Sequence, residues 1–155
     1  MDGQKFTSPL ALLKNFCENY FRRRDIEGAL ACLSKDIYWC GPAGDEEIHG
    51  SGEARACLER DIAARPQPCG LEFTGEDEAA SAEGAGCASV KLTLARDGLD
   101  ATCRISAACF PEEGTMKIRS LHIYASASER EKAKKPFFEH AKEYESKLLY
   151  DFLNS

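Results

Sequence analysis

Few side chains in this sequence are placed to do chemistry. His49, His122 and His140 are its three histidines. No two stand at the i, i+4 spacing that would put both imidazoles on one helical face, so no dedicated metal site is expected. A general base of the carboxylate kind needs an acid on an apolar face, where burial raises its pKa toward the working pH. From Met116 to Tyr124 the residues alternate as in a strand. Met116, Ile118, Ser120, His122 and Tyr124 are expected on one side, and Lys117, Arg119, Leu121 and Ile123 on the other. Neither side carries an acid. On the strand before it Asp100, Thr102, Arg104, Ser106 and Ala108 share a side, with Asp100 next to a turn. Asp36 precedes the aromatic run Ile37-Tyr38-Trp39, but capping the turn before that run explains it as well.

The catalytic machinery is therefore incomplete, with Asp36 or His122 as the base if the protein is an enzyme. A recognition set is better represented. Trp39, beside Tyr38, offers an aromatic wall. Arg104 offers a fork for a carboxylate or phosphate. His122 and Tyr124 offer adaptable polar contacts, and His49 is placed to join them from a loop. Mostly apolar pockets with a few orienting polar groups are built from such a mixture. Each residue also has a plainer role: Trp39 in the core, Arg104 paired with an acid across the sheet, His122 at a subunit interface.

These residues need elements to position them. Ser8-Pro9 reads as an N-cap with proline at the first helical position, and Leu12, Leu13, Phe16, Cys17, Tyr20 and Phe21 follow at helical spacing. Arg22, Arg23 and Arg24 close that helix, where cations suit the helix dipole. Asp25 caps a second, short helix. Ile37–Cys40 is a short strand stopped by Gly41-Pro42, a loop follows from Ala43 to Glu47, and a third helix runs from Glu53 to about Ala64. Beyond Pro66 and Pro68 the period changes to two. Leu71 and Phe73 alternate with polar residues, the acidic run from Glu76 to Gly86 reads as turn, and strands are expected over Cys87–Ala95, Leu99–Phe110 and Met116–Ala127. Asp97-Gly98 and Pro111-Glu112-Glu113-Gly114 are the turns between them. Consecutive hairpins imply an antiparallel, curved sheet, so the class is α+β. Ser128 and Glu131 form a capping box before a charged helix to about Leu153 that restarts at Pro136. Its stripe Phe137, Ala141, Tyr144, Leu148 and Phe152 suits packing on the domain or a dimerising linker equally.

The 155 residues suffice for one domain with its own core, and the net charge of -6 argues against nucleic acid or an anionic membrane as the main partner. The opening Met1-Asp2-Gly3-Gln4-Lys5-Phe6 is not the start of a signal peptide, so a cytoplasmic location and reduced thiols are expected. The eight cysteines include no Cys-x-x-Cys pair, and most adjoin apolar residues as small buried hydrophobes do.

The order helix, helix, short strand, helix, long antiparallel meander resembles the SnoaL-like branch of the nuclear-transport-factor-two-like superfamily. So do four phrases in order: Asn15 to Asp25, ending in Arg24-Asp25; Leu33 to Trp39; His49-Gly50 with Glu53 after it; and Met116 to Ile123, carrying His122. Together they span about residues 8 to 127. The resemblance implies a conical half-barrel over residues 1–127, a curved antiparallel sheet wrapped around the N-terminal helices, with 128–155 as a helical tail of the same domain or a linker. It also implies a function without cofactor: a small-molecule-binding, sensory or dimerisation module, of the sort found in bacterial signalling proteins, or else a small isomerase, cyclase or dehydratase. The expected partners are a small organic ligand, anionic if Arg104 holds it, and a second copy of the chain.

Overall fold

The computed structural model describes residues 8–41, 47–64, 66–80, 85–96 and 99–125. The expected tail helix, with His140, lies outside the described residues. Helix α1 (Pro9–Cys17) begins where the Ser8-Pro9 signal places it, with the Ser8 hydroxyl accepting from the Ala11 N–H at 3.1 Å. Its apolar side, Leu12, Leu13, Phe16 and Cys17, is fully buried. The α-helix does not continue through the aromatics as expected. Glu18–Arg23 is a π-helical segment, whose wider turn keeps the adjacent Tyr20 and Phe21 both inside, their rings stacked 4.4 Å apart. Arg24 ends it in the left-handed region (φ 54°), and Asp25 caps α2 (Ile26–Leu30) by accepting from the Gly28 N–H at 3.0 Å.

The sheet has six strands in the order β2-β1-β6-β5-β4-β3. The meander β3 (Gly70–Ala80), β4 (Gly86–Arg96), β5 (Leu99–Glu112) and β6 (Thr115–Ala125) is antiparallel throughout. β1 (Leu33–Cys40) runs parallel to β6, and β2 (Glu47–His49), where no strand is expected from the sequence, pairs with β1 at the edge. Helix α3 (Gly50–Ala64) follows at once, three residues earlier than expected. At the end of β1, Gly41 adopts φ +89°, and a Cβ there would collide with the Ile123 carbonyl, so only glycine lets the strand lie this close to β6.

Three expectations about the strands need correction. The acidic run after Glu76 is largely strand. Its alternate members reach the helix side: Glu78 accepts from the Leu10 N–H at 2.9 Å and Glu76 pairs with Lys14 at 2.7 Å, so the acids anchor the positive end of α1. β5 runs on through Pro111. It has passed the first paired residue of β4 there and has only β6 beside it, the setting in which strands accept proline. The turn is reduced to Glu113-Gly114. The third correction concerns sides. Cys109 pairs with Ile118 but Ala108 pairs with Ser120, so Arg119 is the extra residue of a bulge. Ile118 therefore lies in the core with Leu121 and Ile123, not beside Ser120 and His122.

Among the described residues, helices α1, α2 and α3 lie on one side of the sheet. Val90, Leu92, Leu94, Cys103 and Ile105 face them from β4 and β5 and are fully buried. The start of β1 is latched to the end of β5: the Ser34 hydroxyl donates to Glu112 at 2.6 Å and the Lys35 N–H at 3.2 Å. Of the cysteines, all free, only Cys87 is exposed; burial pushes the Cys32 thiol up to about 11 and Cys109 up to about 12. No helix among the described residues is long and apolar enough to cross a membrane.

The thiols give a direct check: alkylation of the native protein should label Cys87 first, and all eight thiols should react after denaturation without reductant; a lower count would mean disulfides. The Glu112 latch has a pH signature. Hydrogen bonding from Ser34, above all, holds this carboxyl below its ordinary range. A carboxyl lowered by folding stabilises the fold above the unfolded glutamate value of about 4.3 and loses that contribution as the pH falls through the folded value. Glu112→Gln should therefore cost about 1–2 kcal/mol at pH 7 in urea unfolding and progressively less in acid. An equal loss at pH 7 and pH 3 would remove Glu112 from the acid limb.

Candidate functional site

Two constellations stand out, one on each side of the sheet. On the helix side Trp39 is 1 % exposed and packs edge-on against Phe16 (5.8 Å) and Tyr20 (5.9 Å), its indole N–H donating to the Gly41 carbonyl at 3.1 Å. Next to these rings lies a buried polar group absent from the expected residues. Asp61 of α3, 4 % exposed, meets the Arg24 guanidinium at 3.3 Å and takes the Tyr20 hydroxyl as a hydrogen-bond partner. Arg24 also donates to the Tyr20 carbonyl at 2.9 Å and lies over its ring. Burial first, then the charge of Asp61, pushes the Tyr20 hydroxyl well above its ordinary range. The spacing that exposes Asp61 is in the sequence: it stands one turn after Leu58 and two after Ala54, on the buried stripe of α3. It is the acid on an apolar face that the search for a base required, yet it is held by a guanidinium and a phenol of its own chain.

Among the described residues nothing covers the opposite side of the sheet, and its pairing builds a grid. One row runs Ala79, Cys87, Ala108, Ser120, Tyr38, His49. The next runs Asp77, Ser89, Ser106, His122, Cys40, Glu47. The third holds Gly75, Lys91, Arg104 and, by backbone register, Tyr124. Small side chains over β3 to β6 leave an open groove of about 480 Å³, floored by Ala79, Ala108, Ser89, Ser106 and Ser120, with Asp77 and His122 at its ends. The His122 and His49 rings lie 6.0 Å and 5.1 Å from that of Tyr38, and His49 is 3.4 Å from Glu47. Arg104 donates to the Ser89 hydroxyl at 3.3 Å, and Ser106 donates to the same oxygen at 3.4 Å.

The expected site residues therefore divide. His122 lines the outer groove, Arg104 stands one row from it with Tyr124 in register beside it, and His49 joins His122 through Tyr38. Trp39 is on the other side of the sheet in the core, and Asp36 is exposed within β1, which starts at Leu33 and takes in the residues expected to form a turn; its N–H donates to the Ser34 hydroxyl at 3.0 Å. Leu121 and Ile123 are buried against the helices, and Ser120 and His122 lie on the opposite face, which the other described residues leave uncovered. Among the described residues no group of three or more His, Cys, Asp or Glu side chains is placed to hold a metal.

No protein-family model and no curated protein matches the chain. Solved structures do. A nuclear-transport-factor-two-like protein of unknown function from Pseudomonas putida KT2440 superposes with a TM-score of 0.65 at 15% identity, covering 77% of this chain and 87% of that one. A putative calcium/calmodulin-dependent protein kinase type II association domain from Thiobacillus denitrificans gives 0.66 at 13% identity, covering 78% and 97%. ActVI-ORFA from Streptomyces coelicolor gives 0.58 at 15% identity, covering 74% and 92%. At these identities the likeness is one of fold, and the fold is the nuclear-transport-factor-two-like cone.

Removing one partner of a buried ion pair leaves an uncompensated charge. Arg24→Ala should therefore destabilise by about 3–5 kcal/mol in urea unfolding, and Arg24→Ala with Asp61→Ala together should cost less than the two single losses summed. Additive losses would mean that the two side chains do not act as a unit.

Proposed function

We propose that this cone-fold chain is a non-catalytic recognition module that binds a small organic molecule in the outer groove of its sheet. One observation carries the reading: the helix side of the cone, where a substrate would have to be enclosed, is filled by Phe16, Tyr20, Phe21 and Trp39 of the chain itself. The candidate bases fit poorly with turnover. Asp36 and His122 are exposed, and Asp61 is locked to Arg24. The groove has the size of a small-molecule site, with a floor of small side chains and polar groups at its rim. An isomerase, cyclase or dehydratase would need an acid or histidine facing an enclosed space.

A homodimer formed through the same open face is a second reading, favoured by that face and by the likeness to an association domain. It expects twice the chain mass in light scattering, and a monomer at every concentration would sink it.

Native mass spectrometry of the protein purified from its own host tests the main reading. The expected result is a co-purified small molecule that is lost from Ser106→Trp, whose indole fills the groove, while the variant keeps the thermal midpoint of the parent. A molecule retained by Ser106→Trp would place binding elsewhere.

A further inference from the structure

Lys91 and Arg104 are direct cross-strand neighbours, Lys91 on β4 and Arg104 on β5. Both project to the outer side, since Val90, Leu92, Cys103 and Ile105 on either side of them in sequence are buried toward the helices. Like charges placed opposite each other on one sheet face destabilise it, and both residues are half-buried, so water screens them less than it would at the surface. Among the described residues neither forms an ion pair. Asp77, one row away on β3, faces Ser89, and Glu76 turns to the helix side to meet Lys14. Arg104 spends one N–H on the Ser89 hydroxyl, and Ser106 donates to the same oxygen. The guanidinium is thus held in place by one hydrogen bond while most of its fork remains for another acceptor. This cationic pair lies one row from the floor of the groove formed by Ala79, Ala108, Ser89 and Ser106.

The geometry points to an oxyanion site: Lys91 and Arg104 hold the carboxylate or phosphate head of an amphiphilic small molecule, with the Ser89 and Ser106 hydroxyls beside it and the apolar body of the molecule along the groove. This rests on the reading of the groove as the binding site, and it names the chemical class of the ligand. The repulsion between the cations is then the cost of a site kept ready for an anion, and a bound oxyanion relieves it by bridging them. A lysine and an arginine suit an oxyanion, the arginine giving directional hydrogen bonds and the lysine a point charge. Alcohols and amines of the same length lack the group that this pair recognises.

The test is calorimetric titration of the full chain with octanoate, octanol and octylamine, together with thermal unfolding of the ligand-free protein. Octanoate should bind more tightly than octanol, and octylamine should not bind. Lys91→Gln and Arg104→Gln should each weaken octanoate by about tenfold or more, the loss expected of a charge-assisted contact. Both should also raise the unfolding midpoint of the ligand-free protein, and added salt should raise it in the parent more than in the variants. A residue with only a structural role would shift the midpoint the other way. Octanoate affinity unchanged in both variants, or a lowered ligand-free midpoint, overturns the oxyanion site. Octanol binding as tightly as octanoate, and lost in Ser106→Trp, overturns the oxyanion site and leaves the groove standing. No binding of either probe, with Ser106→Trp indistinguishable from the parent, overturns both. Octyl phosphate in place of octanoate separates the two heads: whichever binds more tightly is the one the pair is built for.

Discussion

The Trp39 indole sits where the first helix, the π-helical segment and the central strands meet, and the two sides of the sheet acquire different uses from that packing. Its edge contacts with Phe16 and Tyr20, and the stacking of Tyr20 on Phe21, fill the helix side of the cone. Aromatic side chains bury large areas and keep few rotamers, so a cluster of them leaves little room for a guest. Those rings occupy the helix side around Trp39, and on the outer side, floored by alanine and serine, the described residues leave a concavity.

The polar group beside the aromatics shows how such a core tolerates charge. Arg24 takes a left-handed backbone conformation to end the π-helical segment, and this turns its guanidinium inward to Asp61 and the Tyr20 carbonyl. An acid and a base buried together seldom add net stability over an apolar pair, but they fix one arrangement. Here the arrangement joins α3 to the segment that carries Tyr20, so the chemistry that an isolated Asp61 would offer is used to align two elements.

Much of the fold was legible because its signals were local. Ser8-Pro9, Asp25 and the alternation in β4 and β5 each specify an element within a few residues, and their order carries the likeness to the cone fold. What escaped was decided by partners distant in sequence. The acidic stretch after Glu76 reads as turn until Leu10 and Lys14 are brought against it, and β2 is too short to announce itself without β1. The π-helical segment and the bulge at Arg119 insert a residue into a regular period, which no pattern of alternation anticipates, and so Ile118 changed sides. Arg104 and His122 stood out by residue type and by the alternation of their own strands. Their cross-strand neighbours Lys91 and Ser89 did not, because a cross-strand pair exists only once the register is set. Asp61 was missed although its spacing from Leu58 was visible, since an acid in a charged helix draws no notice until its face is known to be buried.

The edge strand β3 has a wider meaning for how this molecule lives among copies of itself. Among the described residues the sheet ends there with unpaired backbone groups, and such a border invites any other extended segment to add on and start a fibril. In β3 the border carries Glu72, Glu76, Asp77 and Glu78 in close succession, and Glu72 and Glu76 to Glu78 are exposed. An incoming strand of the same sequence would bring its own four carboxylates against a border that already carries four. The residues that anchor the first helix thus also act as a gatekeeper, and the protection is electrostatic, a repulsion between like-charged borders that added salt screens.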